Sequence, residues 1–264
     1  MIRLMALASL LLAIFVGRAT AEPVDLELVL AVDISGSVDE DEARLQRQGY
    51  VQALNHPAVM AAIQSGFHKR IAATYVEWAG DHYQETLVDW TVISDPTSAK
   101  RFTDDINRQP IDTAQWTSIS GAIRYGIKRF SQSPHSSRRR VIDISGDGAN
   151  NNGLPILGVR DQAIQAGFVI NGLPIVNGKP SRFGAPQIAN LVTYYRDCVI
   201  GGTGAFIVVA NGFEDFARAI RRKLILEIAG IVPPRPRFIP AQFRSTNRDC
   251  LDGERWLMRQ MDDF

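Results

Sequence analysis

Short apolar runs alternate along the chain with longer stretches of helical period, and the first such pair sets the pattern. The apolar run Leu26 to Val32 gives way to Val38-Asp39-Glu40-Asp41-Glu42. This reads as a buried strand followed by a helix whose first turn carries the carboxylates that a helix dipole favours. Leu45, Gly49 and Ala53 then recur at i, i+4 and i+8 beside Tyr50 and Leu54, the face of a helix packed on a sheet, where Gly49 permits close approach. Asn55-His56-Pro57 breaks that helix, and Ala58 to Ser65 forms a second short one.

Arg70 to Ala79 and Glu85 to Ile93 are strands separated by Gly80-Asp81-His82 and its neighbours, too short a connection for a crossover helix. They are therefore an antiparallel hairpin, with the second member at a sheet edge. Pro96 to Arg108 is helical behind Asp95 as a cap, and Pro110 to Trp116 is a loop. Ile119, Ile123, Ile127 and Phe130 mark an amphipathic helix capped by Thr117, Ser118 or Ser120. Val141 to Ser145 is a buried strand, Val159 to Ala166 a helix, Phe168 to Ile175 a strand and Pro186 to Tyr195 a helix. Ala205 to Ala210 reads as a last strand, and Phe213, Phe216, Ala217, Ile220, Leu224 and Ile228 as a last helix ending near Gly230. This alternation predicts an α/β fold: a doubly wound, mainly parallel central sheet with one antiparallel edge strand and helices on both faces.

The ends differ from this body. Arg3 precedes the apolar stretch Leu4 to Val16, and Ala19-Thr20-Ala21 has the small-x-small form of a signal-peptidase site, so residues 1–21 read as a signal peptide. The alternative, a retained membrane anchor, is disfavoured because the stretch is shorter than the roughly 20 residues a spanning helix needs. Residues 22–232 form the domain, and Pro233-Pro234-Arg235-Pro236 opens a tail, 233–264, too short to fold alone. Without the leader the formal charge moves from +1 to −1, which argues against nucleic acid as a partner. The two cysteines, Cys198 and Cys250, suit one disulfide in an exported protein, tying the tail back; two buried free thiols are the alternative. Periplasmic or secreted location follows, with no transmembrane segment after cleavage.

Three stretches place oxygen donors at strand ends or the loops beside them. Asp33-Ile34-Ser35-Gly36-Ser37 follows the first strand, Thr117 precedes a helix, and Asp147 follows the strand from Val141. If those strands are central neighbours, Asp33, Ser35, Ser37, Thr117 and Asp147 face one crevice at the carboxyl end of the sheet. Two carboxylates and three hydroxyls with open positions suit an octahedral hard cation, Mg2+ with Mn2+ or Ca2+ as alternatives, better than zinc. Each stretch alone has an ordinary explanation, because Ser, Thr and Asp are also the commonest caps and turn formers. The basic runs Arg138 to Arg140, Arg221-Arg222-Lys223 and Arg235 with Arg237 read as solvated edges. Gly201-Gly202-Thr203-Gly204 lacks a phosphate-loop frame and reads as a turn.

In these motifs the sequence resembles the von Willebrand factor type A (vWA) superfamily. Asp33-Ile34-Ser35-Gly36-Ser37 matches its D-x-S-x-S metal-ion-dependent adhesion (MIDAS) motif, Trp116 to Ile123 its threonine-bearing segment, and Ile144-Ser145-Gly146-Asp147-Gly148 its strand ending in Asp-Gly. Tyr75-Val76-Glu77-Trp78, Ser145 to Gly148 and Tyr194 to Cys198 are similar to a bacterial exported family of unknown function within it. The resemblance implies a non-enzymatic domain in which a protein partner supplies an acidic residue to the metal. It also places Glu40 and Asp41 where integrin β chains carry an adjacent metal site, and puts Trp116 where relatives have a small residue, either at the rim of the site or in the core. The other readings are a Mg2+-dependent hydrolase or phosphatase using Asp33 and Asp147, and a structural domain with an unused site.

Overall fold

The computed structural model describes residues 21–179, 187–231, 250–251 and 253–255. The expected leader (but for Ala21) and most of the tail lie outside the described residues, as does Pro186. A two-stranded parallel sheet joins β1 (Glu22–Pro23) to β5 (His135–Ser136). The main sheet is ordered β4 (Gln84–Ile93), β3 (Ile71–Trp78), β2 (Glu27–Asp33), β6 (Arg140–Gly146), β7 (Val169–Pro174). All neighbours are parallel except β3 and β4, the expected antiparallel edge.

Strand alternation divides the core into two layers. Leu28, Leu30 and Val32 of β2 point to one face, with Tyr50 of α1 (Glu40–Leu54), Val59 of α2 (Pro57–Gln64), Phe102 of α3 (Pro96–Arg108) and Phe216 of α7 (Phe216–Ala229). Val29 and Ala31 point to the other, with Ile123 of α4 (Ile119–Ser131), Val159 of α5 (Ile156–Gln165) and Tyr194 of α6 (Leu191–Tyr194), which runs into a π-helical turn (Tyr195–Val199). Every residue of β2 and β3 is buried, as a strand covered on both faces requires. Gly49 does what its position suggested: a Cβ there would lie 2.5 Å from the Phe216 ring, so α1 and α7 meet only because it has none. Cys198 and Cys250 are joined in a disulfide, which holds Cys250 against the second layer.

Two expectations need correction. Ala205 to Ala210 follows β7 only through isolated bridges, Gly172 to Ile207 and Ile175 to Ala210. The Phe206 amide donates to the Asn171 side-chain oxygen at 3.0 Å, so a side chain takes the place of a ladder acceptor. The run Arg221-Arg222-Lys223 is not solvated throughout, because Lys223 is fully buried and ion-paired with both Asp143 and Glu227. Burial and the Glu227 charge together outweigh Lys223 and push the Asp143 carboxyl up to about 7.

This topology fixes where a site can form. From β2 the chain builds outwards through β3 and β4, then returns to add β6 and β7 on the other side. The connections leaving the carboxyl ends of β2 and β6 therefore diverge, opening a crevice between them. Asp33 ends β2 and Asp147 directly follows β6.

Candidate metal centre

Helix capping is the ordinary use of Ser, Thr and Asp in such loops, and here other residues fulfil it. Asp39 caps α1 in a reciprocal box: its carboxylate accepts from the Glu42 amide at 2.9 Å, and Glu42 accepts from the Asp39 amide at 3.1 Å. Ser118 caps α4, accepting from the Gly121 amide at 3.1 Å. Ser35, Ser37 and Thr117 are left without a capping role, and their hydroxyls turn to one another. Thr117 Oγ1 lies 3.2 Å from Ser35 Oγ, Ser35 Oγ lies 3.3 Å from Ser37 Oγ, and Ser37 Oγ donates to Asp147 Oδ1 at 2.5 Å. Asp33 joins through its Oδ1, which accepts the Ser35 amide at 2.7 Å. All five predicted side chains thus come together at the crevice.

Each loop is held from outside the five. Gln46 donates to the Asp33 carbonyl at 2.9 Å. Arg47, buried in α1, pairs with Glu77 through two bonds of 2.9 and 3.0 Å and gives two more, of 2.6 and 2.7 Å, to the carbonyls of Gln109 and Pro110. This anchors the start of the loop that leads to Thr117. Asn151 clasps Thr117 on both sides of its backbone, its side-chain oxygen accepting from the Thr117 amide at 2.8 Å while its own amide donates to the Thr117 carbonyl at 2.8 Å. Asn150 accepts the Ser120 amide at 2.9 Å, and Asn152 accepts the Asp81 amide at 2.7 Å. Asn177 reaches Asp147 Oδ2 at 3.2 Å, and Gln187 donates to the Asp147 carbonyl at 2.9 Å.

Two carboxylic acids are buried together at the crevice. Asp33 is fully buried, and its carboxyl is pushed up to about 8, first by desolvation and then by the charge of Asp147. Desolvation also raises Asp147, to about 6, against the lowering effect of its bonds from Ser37 and Asn177. Asp33 Oδ2 is buried with no hydrogen-bond partner. The Tyr195 hydroxyl is likewise buried without a partner, and burial with the charges of Asp33 and Asp147 raises it well above its ordinary value. Gly146 permits this crowding, since a Cβ there would stand 2.6 Å from Asp33 Oδ2 and 2.8 Å from the Tyr195 hydroxyl. A divalent cation would satisfy the orphaned oxygen and reverse the repulsion, so the residues fit one. Among the described residues no three His, Cys, Asp or Glu side chains could hold a metal, so any ion here would rest on two carboxylates and hydroxyls.

Sequence reasoning missed several participants. Asn177, Gln187 and Arg47 belong to no motif; Tyr195 lies in the run Tyr194 to Cys198, whose resemblance gave it no role at the metal, and the run of three asparagines after Ala149 was visible without a role. Glu40 and Asp41 do not join the site; both are exposed and pair with Arg44. Trp116 is not core. It is 45% exposed with φ of 67°, and its Cβ lies beside Gly80 at the edge of the asparagine loop.

A central parallel sheet with one antiparallel edge, helices on both faces and three converging loops at its carboxyl end make up a vWA-like fold. Solved structures agree on that fold. A von Willebrand factor type A domain from Catenulispora acidiphila superposes with a TM-score of 0.52 at 12% identity, over 78% of this chain and 43% of that one. The pilus adhesin SpaC of Lactobacillus rhamnosus GG gives 0.58 at 11% identity over 79% of this chain and 31% of that one. Proximal thread matrix protein 1 from the mussel byssus, with a zinc-occupied MIDAS motif, gives 0.54 at 14% identity over 79% and 49%. The chain thus spans less than half the length of each of these proteins. The chain belongs to the family described as protein of unknown function DUF1194, which matches residues 23–232. Comparison with curated proteins gave no match.

Proposed function

We propose that this protein is an exported, non-enzymatic vWA domain that binds a protein partner through a divalent cation held by Asp33, Ser35, Ser37, Thr117 and Asp147. The observation that carries the reading is the pair of buried carboxylates, one with an orphaned oxygen, beside three hydroxyls that cap no helix. Hydroxyl donors leave more positive charge on a cation than a carboxylate cage would, so an acidic side chain from a partner completes the shell. Mg2+ suits an oxygen-only site that keeps open positions, and the mussel protein's zinc-occupied motif supports a divalent ion more generally. Among the described residues, none bonded to the five side chains is a histidine or a third carboxylate, which favours bridging to a partner over activation of a water.

The domain comprises residues 22–232, behind a signal peptide of residues 1–21 and ahead of a tail, 233–264, tied back by the disulfide. A disulfide accords with the periplasm or the cell exterior. Among the described residues no helix is long and apolar enough to cross a membrane. Titration calorimetry tests the site: the wild type binds Mg2+ saturably, and Asp33→Ala, still folded by circular dichroism, does not. Equal affinity in the two proteins refutes the assignment. Capture of a partner from envelope extract in Mg2+ but not in EDTA tests the mode of binding.

A further inference from the structure

At the other end of the sheet from Asp33 and Asp147 lies a cavity of about 430 Å3, between the first residues of β6 and β7 and the last turn of α7. That volume falls in the range of small-molecule sites, roughly 300 to 1,000 Å3. Its walls differ in character from mouth to floor.

Three consecutive arginines, Arg138 to Arg140, stand along it. Arg139 is committed to the fold: it donates to the Ile228 carbonyl at 3.0 Å and closely to that of Glu227, satisfying the end of α7. Arg140 lies over the Phe168 ring, 4.3 Å from its centroid, and spends one bond, of 3.0 Å, on the Ala166 carbonyl. Arg138 is exposed and makes no ion pair with a described residue. Facing them is the Gly202-Thr203-Gly204 turn, whose amides donate to no described backbone carbonyl. Positive φ at Gly202 (93°) and Gly204 (78°), on either side of Thr203, alternates the backbone hand and gathers successive amides into an anion-accepting concavity.

Beyond the mouth the lining turns apolar, through Ile164, Phe168, Val169 and Leu226. The floor carries Asn171 and Glu227, each 2% exposed, and Glu227 Oε2 has no hydrogen-bond partner. One buried lysine, Lys223, is shared between Glu227 and Asp143, so a second negative charge on a ligand would meet the surplus carboxylate. One anionic head fits, at the mouth only.

We propose that this cavity binds a small organic monocarboxylate, with its head held by Arg138, Arg140 and the 202–204 amides and a short apolar body against Phe168 and Leu226. Guanidinium forks pair with a carboxylate through two parallel bonds, which is the recognition the mouth provides. The site is separate from the metal centre.

Calorimetric titration of the whole protein with hexanoate, adipate, hexylamine and inorganic phosphate tests this. Hexanoate binds saturably. Adipate, hexylamine and phosphate each bind at least about tenfold more weakly, a difference of about 1.4 kcal/mol. Arg138→Gln, at an exposed position, weakens hexanoate binding several-fold, and Arg138→Gln with Arg140→Gln removes it. Asp33→Ala leaves it unchanged. Absence of saturable hexanoate binding, equal binding of any comparison compound, or full affinity in the double variant overturns the proposal.

Discussion

The Glu254 carboxylate accepts a 2.7 Å hydrogen bond from the side-chain amide of Asn150, the residue three beyond Asp147. Gly253 lies so close that a Cβ there would stand 2.2 Å from the Asn150 carbonyl. The tail segment after Cys250 therefore packs on the loop that carries Asp147 and clasps Thr117, and the Cys198–Cys250 disulfide holds it there. Glu254→Ala is expected to weaken Mg2+ binding several-fold with little loss of global stability, as calorimetry and urea denaturation measure. Cys198→Ser with Cys250→Ser is expected to weaken Mg2+ binding similarly. It also costs about 4 kcal/mol, the chain-entropy value for a loop of this length. Unchanged Mg2+ affinity in both variants dissociates the tail from the site.

The acid pair makes stability depend on pH in the unusual direction. Asp33 and Asp147 are raised in the folded state to about 8 and about 6, whereas an unfolded aspartate titrates near 3.8. Below that value both states are protonated and nothing is lost. Above it the folded state holds more protons, so stability falls as pH rises towards about 8. Thermal unfolding in EDTA is expected to show a melting temperature declining across this window, and excess Mg2+ is expected to restore most of it. The part that Mg2+ does not restore belongs to Asp143, raised to about 7, and to Glu77, raised by burial, neither of them among the five. A melting temperature that rises with pH in EDTA contradicts the account.

Trp116 adopts a left-handed backbone, φ 67°, that glycine enters without strain. Relief of that strain amounts to about 1 to 2 kcal/mol for a residue bearing a Cβ. Trp116→Gly is therefore expected to keep or raise stability in urea denaturation while reducing metal-dependent partner capture, because an exposed aromatic beside Thr117 is removed. A loss of stability above about 1 kcal/mol shows that the ring packs in the fold and does not serve the rim.

Lys223 is ion-paired with both Asp143 and Glu227, all three fully or nearly fully buried. Lys223→Met removes the ion-pair partner of two buried carboxylates and is expected to cost about 3 to 5 kcal/mol. Adding Asp143→Asn and Glu227→Gln is expected to return much of that loss. If the triple variant is no more stable than the single one by chemical denaturation, lost packing of the lysine stem, not charge, explains the cost.

The alternation of apolar runs and helical periods along this chain already determined its layers, its antiparallel edge and the loops that hold Asp33, Thr117 and Asp147, because strand and helix faces are set by neighbours a few residues apart. Gly49 and the paired cysteines were legible for the same reason, each from residue type and position. What only the tertiary structure decided concerns partners distant in sequence. Asp39 and Ser118 take the caps, and that releases Ser35, Ser37 and Thr117 to face one another. Asn151 closes on Thr117, Asn177 reaches Asp147, and Lys223 leaves an apparently solvated run to sit under the sheet between two acids. A polar side chain carries no period that reveals its partner. Its role follows from which strands become neighbours, and burial then makes each unpaired oxygen costly enough to demand one.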